Sequence, residues 1–410
     1  MNKNLQRIRM ALFALLLTIA GMTNAFAQSF TVGKLKYSTI DGKSVSVQGH
    51  VDETKANGVL VIPESVEYRG VTYAVTRIRS EAFQHCRGIT SVVIPNSVTE
   101  IGNLAFGYCS GIISVVIPNS VTTIFFSAFE HCEKLAHISI PKSIKNIAAN
   151  AFEHTGWFNQ QPNGILYLDG CCMGYKGDKP KGKLNIKENT RIIAGGAFSR
   201  CKELSGELVL PSSIICIGWG AFEGCDGLTS VIIPNSVTTI YSDAFSSCSN
   251  LTSINIPNSV TELHASAFKN NGWSAQQPEG VLCLDGCCLG YQFSYSSDEN
   301  YPIKNLKIKN NTRLIANGAF EQSGRYENYT FTGELVIPNT VKIIGEKAFV
   351  GNGFTSVTIP DSVVSIGLSA FNGCKELTTV IIESPHLRDL PKSSYFYGCN
   401  KLLESNIIYK

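Results

Sequence analysis

Residues 89–109 read ITSVVIPNSVTEIGNLAFGYC, and the recurrence of this stretch along the chain decides the fold. Ile89, Val92 and Ile94 have the spacing of a short strand entering a core, with Ser91 and Val93 turned the other way. Pro95 has no N–H for a further ladder bond and stops the strand. Asn96-Ser97 turns the chain, Val98 and Ile101 point back inside, and Gly102 permits a tight bend. Ala105-Phe106 and Cys109 then seat a single helical turn. One such coil cannot bury its own apolar side, whereas a stack of them can.

The stack is legible in two markers that run in phase. Pro95, Pro118 and Pro141 lie 23 residues apart, as do Pro211, Pro234 and Pro257. Pro338 and Pro360 lie 22 apart, and Pro63 begins the series. Ala-Phe recurs at Phe83, Phe106, Phe129, Phe152, Phe198, Phe222, Phe245, Phe268, Phe320, Phe349 and Phe371, and Tyr395-Phe396 is a degenerate last copy. The expectation is an α/β solenoid of about twelve coils, with a parallel sheet on one face and short helical turns on the other. The pattern L-x-x-[IV]-x-[IL]-P-x-S-[VI]-x-x-I-x-x-x-A-F-x-x-C resembles the BspA-like leucine-rich repeats of bacterial surface proteins, best known from Bacteroidetes. It extends from about Val59 to Leu402. Residues 28–58, together with VTYAVTRI at 71–78, resemble the start such proteins have before the first full coil. We therefore assign 28–58 as an N-terminal cap and 59–410 as the solenoid.

A longer repeat lies above the coil. One offset of 116 carries Pro95, Pro118, Pro141 and Trp157 onto Pro211, Pro234, Pro257 and Trp273. Each block holds an insertion, GWFNQQPNGILYLDGCCMGYKG at 156–177 and GWSAQQPEGVLCLDGCCLGY at 272–291. Asp-Gly between short apolar runs marks a β-hairpin in each, with strands at 165–168 and 171–175 and at 281–284 and 287–291, expected to project from the solenoid. That turn position accounts for Asp169 and Asp285, against a reading as paired carboxylates for sugar hydrolysis. Trp157 and Trp273 read as packing anchors before sugar platforms.

The first 27 residues read as a signal peptide: a basic start with Lys3, Arg7 and Arg9, a short apolar run, and a small-residue site at Ala25-Phe26-Ala27. Without them the chain carries 32 basic and 32 acidic side chains, so nothing attracts nucleic acid or an anionic membrane electrostatically. No second apolar run reaches spanning length. The expectation is an exported monomer, at the cell surface or secreted, or else periplasmic.

Eight of the fourteen cysteines (Cys86, Cys109, Cys132, Cys201, Cys225, Cys248, Cys374 and Cys399) stand three residues after the repeat Phe. Asn271 and Asn352 fill the same slot after Phe268 and Phe349. A column shared by Cys and Asn reads as a ladder of buried structural thiols, with disulfides or a metal as the alternatives. Across the second hairpin's two-residue turn, Cys283 and Cys288 fall opposite each other in a non-hydrogen-bonded pair, the geometry of a possible disulfide. The first hairpin has Tyr167 at the matching place. His85 and His131 precede repeat cysteines, but the same column elsewhere holds Tyr108, Arg200, Gly224 and Ser247, so no catalytic cysteine and base stand out. We assign no catalytic, cofactor-binding or metal-binding residue, and expect no cofactor.

One column remains for recognition. The strand residue just before the last inward apolar position is Val93, Val116, Ser139, Val209, Ile232, Asn255, Val336, Thr358 and Ile381. Two residues earlier the column reads Ser91, Ser114, His137, Glu207, Ser230, Ser253, Glu334, Ser356 and Thr379. A β-branched stripe beside a stripe of small hydroxyls is a candidate surface for a protein or glycan partner, although the same residues suit strands in general. The family resemblance implies an adhesin-like binding module, non-catalytic. The alternative is a periplasmic scaffold without a host ligand.

Overall fold

The computed structural model describes residues 28–52, 56–293, 303–322, 330–388 and 394–410; the expected signal peptide lies outside them. The chain divides into two compact units, one ending at Pro162 and the other beginning at Asn163.

In the first unit an antiparallel meander of Ser29–Val32, Leu35–Thr39 and Ser44–His50 starts the main sheet. Its last strand pairs in parallel with Val71–Ile78, and the ladder continues through Glu100–Ile101, Thr123–Ile124 and Asn146–Ile147. A second, three-stranded parallel sheet holds Asn57–Val61, Gly88–Val93 and Ser114–Val116. Each coil therefore offers two strands where the sequence suggested one, a longer one before the proline and a two-residue one after the turn. Two residues are too short for an alternating pattern, which is why the second ladder escaped the reading.

The second unit repeats the scheme twice. One ladder runs Gly164–Leu168, Cys171–Lys176, Ile192–Ile193, Cys216–Ile217, Thr239–Ile240 and Glu262–Leu263, with the pre-proline sheet Gly206–Val209, Leu228–Ile232 and Ser253–Ile254. The other runs Gly280–Leu284, Cys287–Gln292, Leu314–Ile315, Ile343–Ile344 and Ser365–Ile366, with the sheet Ile303–Lys304, Phe331–Val336, Gly353–Ile359, Thr379–Ile382 and Ile407–Tyr409.

The two hairpins form as read, each closed by Asp-Gly with both φ angles positive: 45° and 77° at Asp169-Gly170, 48° and 71° at Asp285-Gly286. They differ from the expectation in one respect. Neither stands off the array by both strands, because Cys171-Cys172 pair in parallel with Ile192-Ile193, and Cys287-Cys288 with Leu314-Ile315. The second strand of each hairpin is itself a rung of the ladder, since its apolar face (Cys171, Cys172 and Met173; Cys287, Cys288 and Leu289) is buried. Among the described residues the array comprises about 14 turns, more than the twelve Ala-Phe markers. The meander strand and the two hairpin strands occupy ladder positions that carry no Ala-Phe.

The core is built from columns. From Phe83 to Phe371 the repeat phenylalanines are buried and stack face to face, with centroids 5.4, 5.1 and 5.4 Å apart from Phe83 to Phe152, and 5.4, 5.3 and 5.5 Å apart from Phe198 to Phe268. Burying each such ring contributes about 2–3 kcal/mol. Most Ala-Phe segments are hydrogen-bonded turns, and only Ala149–Phe152 and Ala265–Phe268 complete a 3-10 turn of helix among the described residues. Six of the eight repeat thiols, those of Cys109, Cys132, Cys225, Cys248, Cys374 and Cys399, donate to the backbone carbonyl of the phenylalanine one coil earlier: Cys109 to Phe83 at 2.9 Å, Cys225 to Phe198 at 3.1 Å, Cys374 to Phe349 at 3.2 Å. Asn352 Nδ2 makes the equivalent bond to the Phe320 carbonyl at 2.8 Å and so takes over the thiol's task, whereas Asn271 in the same slot accepts from the Ser274 N–H at 2.8 Å and caps the following helix. In several coils the serine of Pro-x-Ser adds a second stitch, Ser236 to the Ile214 carbonyl at 2.6 Å and Ser259 to the Val237 carbonyl at 2.7 Å, whereas the Ser97 and Ser120 hydroxyls are buried without such a bond.

Candidate partner-binding face

The pre-proline sheets carry the predicted column outward. Its members alternate with buried Val92, Val115, Leu208, Val231, Leu335, Val357 and Val380, as the two-residue period of a strand requires. In the first unit the backbone register sets Val61 beside Val93 and Val93 beside Val116. In the second it sets Val209 beside Ile232, and Val336, Thr358, Ile381 and Ile408 in one line. Val116 is 76% exposed, and Val93, Ser139, Val209, Ile232, Asn255 and Val336 are exposed as well, while Thr358 and Ile381 are half-buried.

Two members depart from the column's pattern. Ser139 lies outside any strand. The Asn255 amide is bound to its own array, accepting from the Ile233 N–H and donating to the Ile233 carbonyl, both at 3.0 Å. It replaces ladder bonds that the short strand Ser253–Ile254 does not reach, so its polar atoms are turned to the neighbouring coil.

The hydroxyl column stands in register beside the apolar one, Ser91 beside Ser114 and Ser230 beside Ser253. Three apolar residues of the first unit extend the face beyond the column read from sequence. Val59 and Val61 are 62% and 59% exposed and belong to the coil before the first Ala-Phe marker, where the repeat is hardest to align. Ile113 is exposed too, at the start of its coil. A cleft of about 180 Å³ opens beside Val59 and Val61, bounded by Lys34, Leu35 and His50.

The column of His85 and His131 also has a structure. His85, Tyr108, His131 and His154 stack in line, with centroids 4.8, 4.7 and 4.4 Å apart. All four backbones take the left-handed region, with φ between 56° and 62°. The faces of these rings are turned to one another, and the acids within reach are Glu130 and Glu153, each 3.9 Å from the imidazole next in sequence. Trp157 and Trp273 are half-buried on the short helices Gly156–Gln160 and Gly272–Ala275, where their backbone N–H groups bond the carbonyls of Leu135 and Leu251. No cluster of three or more metal-ligating side chains occurs among the described residues, and no described helix is long and apolar enough to cross a membrane.

A family model described as "BspA type Leucine rich repeat region" matches residues 65–160, 177–276 and 325–410 in six copies, more than half of the chain. The chain belongs to the BspA type leucine-rich-repeat family. Among solved structures, this BspA type chain is similar to a leucine-rich repeat protein from Bacteroides ovatus, at 24% identity over 93% of this chain and 78% of that one, with a TM-score of 0.32. It is also similar to a leucine rich cell surface protein from Faecalibacterium prausnitzii, at 24% identity over 95% and 96% of the two chains, with a TM-score of 0.33. No curated protein matches it. The family model leaves out 161–176 and 277–324, which contain the hairpins, and each hairpin opens a separate ladder of BspA type coils.

Proposed function

We propose that this chain is an exported, non-catalytic binding module, adhesin-like, that holds a protein partner against the pre-proline sheet of its repeats. The reading rests on one observation: seven of nine residues in a column chosen from sequence alone are exposed, most are β-branched, and none is charged. The exposed apolar members of an uncharged stripe gain free energy by meeting another apolar surface. Aliphatic side chains without an aromatic platform favour a protein over a glycan, because sugar rings are held by stacking and by convergent hydrogen bonds. Val116, Ile232 and Val336 are the residues expected to contribute most.

The test uses the mature chain and a variant with Val116→Lys, Ile232→Lys and Val336→Lys, each captured against extracellular-matrix proteins and a glycan array. The expected result is protein capture by the parent chain and loss of capture by the variant with an unchanged circular dichroism spectrum. A folded variant that binds as well as the parent would refute the stripe. Protease treatment of intact cells separates an adhesin, which is cleaved, from a periplasmic scaffold, which is protected.

A further inference from the structure

We propose that Cys283 and Cys288, facing each other across the second hairpin, are a reversible dithiol–disulfide site that reacts with small-molecule disulfides through Cys283. The register pairs Cys283 with Cys288 and Leu284 with Cys287 around the two-residue turn Asp285-Gly286. In such a hairpin the pair flanking the turn is hydrogen-bonded and the next is not, and the non-hydrogen-bonded pair brings its Cβ atoms within range of an S–S bond. Of the fourteen cysteines, thirteen are buried and Cys283 alone is partly open to solvent. An accessible thiol next to a buried one is the arrangement in which the first is attacked or attacks and the second resolves.

The surroundings favour that division. A hydrogen bond from the Cys288 thiol, with the Thr312 hydroxyl 3.9 Å from Cys283 Sγ and Lys309 nearby, holds the Cys283 thiol below its ordinary value. The same hydrogen bond together with burial pushes Cys288 well above its ordinary value. The first hairpin serves as an internal comparison: Tyr167 stands opposite Cys172, with the Lys187 ammonium 4.4 Å from its ring centre and the Lys187 N–H bonded to its hydroxyl at 3.2 Å. The second hairpin keeps a basic residue at that place and sets a thiol beneath it.

The chemistry balances without a metal. The Cys283 thiolate attacks one sulfur of a disulfide RSSR, the S–S bond breaks, and RS⁻ leaves to take up a proton as RSH. Cys288 then gives up its proton and attacks the Cys283 sulfur of the mixed disulfide, releasing a second RSH. Two protein thiols are oxidised by two electrons and one RSSR is reduced to two RSH.

The full mature chain is treated with mixtures of oxidised and reduced glutathione and read by intact mass and peptide mapping. The expected product is a Cys283–Cys288 bond that retains no glutathione and reverts with dithiothreitol. Cys288→Ser is expected to stop at a glutathione adduct on Cys283, and Cys283→Ser to take up none. Since Cys288 is buried and its variant could fold poorly, the unmodified chain supplies a second readout. Iodoacetamide should label Cys283 at least about a hundredfold faster than any other cysteine of the folded chain, with a rate that levels off at a lower pH than that of an ordinary thiol. Oxidation should abolish that labelling. Both thiols left reduced under oxidised glutathione, or labelling spread over the repeat cysteines, would overturn the proposal.

Discussion

Phe222 stands between Phe198 and Phe245 with ring centroids 5.4 and 5.3 Å away, fully enclosed by its own column. Truncation there removes contacts on both faces that no neighbour can replace, so Phe222→Ala should cost about 3–5 kcal/mol, read as a fall in the urea midpoint. Cys225 shares that coil and bonds the Phe198 carbonyl; Cys225→Ala should cost about 1–2 kcal/mol, while Cys225→Asn, copying Asn352, should cost less. Both columns were legible in the sequence because the side chain itself recurs. The left-handed backbone two residues after nearly every repeat Phe was not, because its occupants are as different as His85, Arg200, Ser247 and Gly373. Ser247 has φ 57° with an exposed side chain, so Ser247→Gly relieves strain at the cost of a looser unfolded chain. A net gain of up to about 1 kcal/mol is expected in the same urea titration.

The rungs and hairpins impose their own pH dependence. Burial raises the thiols of Cys109, Cys172 and Cys287 from 9.0 to about 12. Between those values the unfolded chain has lost protons that the folded chain retains, so stability is full below pH 9 and falls as pH rises toward 12. The slope is about 1.4 kcal/mol per pH unit for each thiol. Urea midpoints at pH 8, 9 and 10 should fall in that order; an unchanged midpoint would mean these thiols ionise freely in the fold. On the acid side His264 is held below 6.5 first by burial, between the Ser242 hydroxyl at 3.0 Å and the Asn317 amide at 3.3 Å. A depressed imidazole adds stability above its unfolded value that is lost as pH drops through the folded one. The chain should therefore weaken from pH 6.5 to 5, and His264→Gln should weaken less over that range. The hairpins themselves were readable from Asp-Gly between apolar runs. Their incorporation as rungs was not, because the partners that hold them, Ile192-Ile193 and Leu314-Ile315, lie 20 or more residues away and carry no mark of the pairing.

A ladder whose bonds run from each coil to the next tolerates the loss of a whole period but not of part of one. Removing 235–257 joins Pro234 to Asn258 and restores Pro-Asn-Ser-Val. Ser259 then occupies the place of Ser236 above the Ile214 carbonyl, and Ile233 that of Ile256, whose N–H meets Asp285 Oδ2 at 2.7 Å. This deletion should fold with a modest loss of stability, whereas removal of 20 residues from the same point should not fold, as circular dichroism and urea titration would report. The same connectivity governs the response to pulling, because tension applied along the stack loads the rungs one after another rather than together. Each coil that peels away frees about 23 residues, or roughly 80 Å of extended chain. Within either compact unit, a stack built this way yields in steps of that length and keeps its remaining coils intact, damping a sudden tug instead of snapping at a single threshold.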